Sequence, residues 1–79
     1  MSEREENKKV MGEFISVARK NNYSESMIMN IGIICGSKQM HESGYTTYDA
    51  FVKAKEFAKK GKSASENIYE LLKLAGYKD

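Results

Sequence analysis

Apolar residues recur at helical spacing over most of this chain, with one stretch that two patterns fit. Over residues 3–20, Val10, Met11, Phe14, Ile15 and Ala18 follow the three-or-four-residue step of one helix face. Glu3, Glu5 and Glu6 occupy its first turn and Arg19 and Lys20 its last, the polarity a helix dipole favours. Asn21-Asn22 offers a left-handed or capped exit. Gly12 is a mild cost, about 1 kcal/mol relative to Ala, marking either a close helix crossing or plain surface.

Residues 24–44 are the ambiguous stretch. Ser24 can cap a helix whose buried stripe is Met27 or Ile28, Ile31, Ile34 and Cys35, with Met40 further along. The same MIMNIGIICG run resembles a strand, with isoleucines at 31, 33 and 34 and glycines at 32 and 36. No second strand-like run exists to pair with it, and a lone strand leaves its backbone groups unpaired. A helix is therefore expected, with a strand surviving only if two chains pair along that edge.

After the loop HESGYTT, Thr46 or Thr47 can cap a helix over residues 47–60. Thr46 and Asp49 have capping-box spacing. Tyr48, Phe51, Ala54 or Lys55, and Ala58 share a face, Val52 and Phe57 widen the apolar arc, and Gly61 follows the end. The last helix has the clearest signals. Ser63 and Glu66 form a capping box, Ile68, Leu71, Leu72 and Ala75 form the stripe, and Gly76 ends it. The pattern predicts an all-α fold, a compact bundle of about four short helices in a single domain over residues 1–79. Short links should place consecutive helices side by side.

Composition narrows the class. At 79 residues, 41% apolar and 30% charged, the chain has a globular balance with a modest core. Cys35 is the single cysteine, which excludes an intramolecular disulfide scaffold and fits a reducing cytoplasm. The N-terminal stretch MSEREENKKV lacks the apolar run of a signal peptide, and the uncharged stretch from Ser26 to Ser37 is too short to span a bilayer. A cytoplasmic protein with no membrane segment is expected.

The chemistry-bearing residues are sparse. Cys35 and the single histidine, His41, fall short of a zinc ligand set, and their six-residue separation makes a weak nucleophile–base pair. Glu66 and Glu70 share a helix face, but capping and pairing with Lys73 account for them. Neither GxGxxG nor GxxxxGK[ST] occurs, and Gly32 and Gly36 make only a non-specific GxxxG. We expect no catalytic residues, no metal and no cofactor, hence no enzyme.

Charge and aromatic residues supply two binding readings. Residues 53–62 carry five lysines, Lys53, Lys55, Lys59, Lys60 and Lys62, against Glu56, while the chain as a whole is only +2. Such a run completes a helix dipole on a solvated face, or grips phosphates without sequence preference. Base-edge readers such as Arg, Asn or Gln are missing from it. The five tyrosines, with Tyr45 and Tyr48 flanking a GYTTY turn, and the five methionines suit an adhesive surface. Residues 27–35 carry more apolar side chains than one small core covers. The first expectation is a non-catalytic protein-interaction module, a regulator or mobile-element accessory protein. It would bind another protein through Tyr45, Tyr48, Met27 and Ile31 and form a homodimer by the same excess. The alternative is a small DNA- or RNA-binding protein using Lys53–Lys62.

Overall fold

The computed structural model describes residues 2–77. Its helices are α1 (Glu3–Lys20), α2 (Glu25–Cys35), α3 (Lys38–Glu42), α4 (Thr47–Lys59) and α5 (Ala64–Leu74), with no strand among the described residues. The fold is a compact all-α bundle, as the periodicity predicts. Each helix begins on a hydroxyl cap. Ser2, Ser24, Ser37, Thr46 and Ser63 accept from the backbone N–H groups of Glu5, Met27, Met40, Asp49 and Glu66 at 3.0–3.2 Å. At α5 the box is reciprocal, Ser63 N–H donating to Glu66 Oε1 at 2.8 Å, and that bond holds the Glu66 carboxyl below its usual range. Asn22 leaves α1 at φ 65, and Gly61 and Gly76 follow α4 and α5 at φ 88 and 91.

Among the described residues the bundle has five helices rather than four. Residues 27–35 are helical, which removes the strand alternative, but the segment breaks at Gly36. Ser37 ends one helix and starts the next: its hydroxyl donates to Ile34 O at 2.7 Å and accepts from Met40 N–H at 3.2 Å. Two residues of the expected loop, His41 and Glu42, belong to α3, so the connection shrinks to residues 43–46.

Packing departs from chain order. The most extensive helix pair is α1 with α4, followed by α2 with α5, whereas α1 and α2 touch over only a short stretch. Alanines line the buried side of α4. Ala50, Ala54 and Ala58 recur every four residues on α4, and all are fully buried, as is Ala18 on α1. A row of methyl groups lets neighbouring backbones approach, and close packing then follows. Phe14 and Phe51 meet beside it with ring centroids 6.0 Å apart at 44°. Ile31, Met40, Cys35 and Leu71 complete the fully buried set.

Among the described residues, the polar Asn67 is buried with them. Asn67 donates through Nδ2 to Tyr23 Oη at 3.1 Å and to Ala54 O at 3.0 Å, while Tyr23 Oη donates to Lys62 O at 2.6 Å. This node ties the start of α2 to α4 and α5, and it satisfies the carbonyl of Lys62 just beyond the α4 terminus. Burial of the Tyr23 ring raises its phenol above the ordinary range.

Candidate functional site

Where α1 and α2 diverge, they leave a groove of about 510 Å³. Its floor is Phe14, Ile28 and Phe51, and its walls carry Met11 and Ile15 from α1 and Met29, Gly32 and Ile33 from α2. On α1 the core takes Val10, Phe14 and Ala18, so Met11 is left 38% exposed and Ile15 half-buried. On α2 the core takes Ile28, Ile31 and Cys35, so Met29 and Ile33, four residues apart, stand 67% and 65% exposed. At one end Arg19 and Glu25 close the groove with a two-point ion pair, Nη2 to Oε1 at 2.8 Å and Nε to Oε2 at 3.2 Å. This hydrogen bond holds the Glu25 carboxyl below its usual range and raises the Arg19 guanidinium.

The residues expected to make protein contacts are not brought together. Ile31 is fully buried and has no surface to offer a partner, a correction that follows from its place on the α2 core stripe. Met27 is half-buried and lies two residues, or roughly 200° around the helix, from Met29. Tyr45 is half-buried beside His41 and Thr47, while Tyr48 is exposed over a separate recess lined by Glu6, Lys9, Val10 and Glu13. The exposed apolar groove residues are instead Met11, Met29 and Ile33.

The lysines are dispersed in their engagements. Lys55 Nζ bonds Glu13 Oε1 at 3.0 Å across the α1–α4 seam, and that bond holds the Glu13 carboxyl below its ordinary range. Lys62 lies 5.9 Å from the centroid of the Phe57 ring. Lys53 is half-buried, and Lys59 and Lys60 are exposed. Glu56 is also exposed, three residues from Lys53 and Lys59 and four from Lys60, so its carboxylate interrupts their face. Lys38 pairs with Glu42 on α3, and Arg19 with Glu25, so these cations are engaged elsewhere.

Cys35 is fully buried, and burial pushes its thiol up to about 12. It holds essentially no thiolate near neutral pH. His41 is exposed, with Nε2 2.9 Å from Thr47 Oγ1. Among the described residues, no group of three or more His, Cys, Asp or Glu is placed to hold a metal ion, and no helix is long and apolar enough to cross a membrane. Set against protein-family models, curated proteins and solved structures, the chain matches none.

Proposed function

We propose that this chain is a non-catalytic protein-interaction module, a small regulator or accessory protein that works by occupying a partner's surface. The observation that carries the proposal is the α1–α2 groove, where Met11, Met29 and Ile33 face water around an aromatic floor. Apolar side chains gathered around a recess mark a binding surface more than scattered ones do, and methionine adapts its shape to what it meets. The single buried thiol suits a reducing setting such as the cytoplasm. A second copy of the chain is another occupant for the same face.

Phosphate contact through Lys53, Lys59 and Lys60 ranks second. Exposed lysines on the α4 terminus favour it, while the Lys55–Glu13 pair and the position of Glu56 reduce the charge on offer.

Affinity capture from cells that make the protein tests the order, using the native chain, a Met29→Asp/Ile33→Asp variant and a Lys59→Glu/Lys60→Glu variant side by side. A protein retained by the lysine variant and lost from the groove variant supports docking in the groove. The reverse pattern, together with binding of mixed-sequence DNA or RNA at about 50 mM salt that disappears at about 200 mM, would establish the second reading. Sedimentation at low micromolar concentration decides the dimer: a single species at 9.0 kDa removes it.

A further inference from the structure

We infer that the groove takes an amphipathic helix of acidic character from another protein, its apolar side against Met11, Met29 and Ile33 and its carboxylates over Arg4 and Lys8. The inference rests on the reading of the groove as a protein-docking site and names the chemistry of the partner.

Shape selects a helix. The main recess shares Met11 and Phe51 with a second of about 290 Å³, lined also by Arg4, Asn7, Lys8 and Thr47, so one trough follows α1. From Arg4 to Arg19 it runs about 22 Å, at roughly 1.5 Å per residue, the length of about four helical turns. Its walls are side chains on helices, and no strand edge among the described residues offers backbone groups to an extended peptide. A helix satisfies its own backbone and needs only a side-chain face to dock.

Charge selects the sign. Arg4, Lys8, Met11, Ile15 and Arg19 are spaced by four, three, four and four residues, so one stripe of α1 combines cations with the apolar wall. Of the four acids of α1, Glu3 lines the recess at Tyr45, Glu6 and Glu13 line the one at Tyr48, and Glu5 is exposed and lines neither part of the trough. At the far end Glu25 already neutralises Arg19. Arg4 and Lys8 are exposed, and no ion pair engages either among the described residues. The trough therefore has a neutral end and a positive end.

A second copy fits that polarity less well. A two-fold axis through the trough lays each positive end against the other copy's Arg19–Glu25 pair, whose carboxylate is taken. An acidic helix supplies the missing carboxylates directly.

Selection from a helix-biased random peptide library on the immobilised full chain tests this. The expected winners carry large apolar residues at i, i+3 or i+4, and i+7, with Asp or Glu clustered at one end. Ile33→Asp should abolish their binding, and Arg4→Glu/Lys8→Glu should weaken it about tenfold at ordinary salt. Both variants change exposed residues, and unchanged circular-dichroism melts would show that the fold persists. Enriched peptides without acidic bias, or indifferent to the Arg4/Lys8 reversal, would overturn the acidic helix and leave the docking groove intact. No enrichment, with captured partners indifferent to Ile33→Asp, would overturn both. A dimer that Ile33→Asp dissociates would give the groove to a second copy and overturn the inference.

Discussion

Helix α1 has two seams, and they differ. Toward α4 the seam is closed by Phe14 on Phe51 and the Glu13–Lys55 bond. Toward α2, its neighbour in sequence, the seam stays open as a groove edged by the exposed Met29 and Ile33. Adjacency along the chain thus did not decide which helices pack most extensively. The closed seam has its contacts made within the chain, whereas apolar side chains in the open one still face water.

Removing bulk from the closed part of the molecule should do most damage. Leu71→Ala, at a fully buried site, is expected to cost about 3 kcal/mol, a large share of what a chain of this size has to lose. Urea titration followed by circular dichroism would read it, and a loss below about 1 kcal/mol would show that the core around Leu71 is loosely packed.

Adding bulk separates the closed interior from the open seam. Ala54→Leu should cost about 2 kcal/mol by overpacking, because Ala54 is fully buried beside Asn67. Urea titration would read it, and a cost no greater than that of Gly32→Ala in the groove would remove the contrast.

Alkali probes the closed interior through Cys35. Its thiol titrates near about 8.5 in an unfolded chain and at about 12 in the fold, so the folded state holds the proton more tightly. Its contribution is complete below the lower value and is lost as pH rises toward the upper one. Stability should fall by about 2 kcal/mol between about pH 8 and about pH 10, and Tyr23, also raised, acts in the same direction. In Cys35→Ala the slope should flatten, which denaturation at the two pH values would show.

The open seam should respond least, and in the opposite sense. A Cβ on Gly32 meets nothing within 4 Å, so Gly32→Ala should stabilise α2 by about 0.5–1 kcal/mol. Ile33→Ser should stay within about 0.5 kcal/mol, since the side chain is already in water. Thermal melts of the two variants would detect a groove that is in truth sealed, because both would then destabilise.

Local signals were the legible part of this fold. The caps at Ser24, Thr46 and Ser63, the exit at Asn21-Asn22 and the glycines at 61 and 76 each act within about four residues, and the structure places them where the spacing does. Ser37 is equally local, yet the apolar stripe running from Ile34 to Met40 obscured it. Asn67 was hidden for a different reason. A polar residue beside a stripe reads as surface unless its partners are known, and Tyr23 lies 44 positions away. The groove was half legible: residues 27–35 are too apolar for one core, but choosing Ile33 over Ile31 as the exposed member requires knowing which helices approach. On α1, the stripe Arg4, Lys8, Met11, Ile15 and Arg19 was available in the spacing alone.

The hydroxyl caps also bear on how fast the molecule assembles. Each helix carries its own boundary within one turn, so nucleation need not wait for distant partners. With no proline in the chain, prolyl isomerisation imposes no slow phase. The costly events are the long closures, Glu13 to Lys55 over 42 positions and Tyr23 to Asn67 over 44. Refolding should therefore be a single fast exponential, on the microsecond-to-millisecond scale of helical bundles, with its barrier set by bringing α1 and α2 onto α4 and α5.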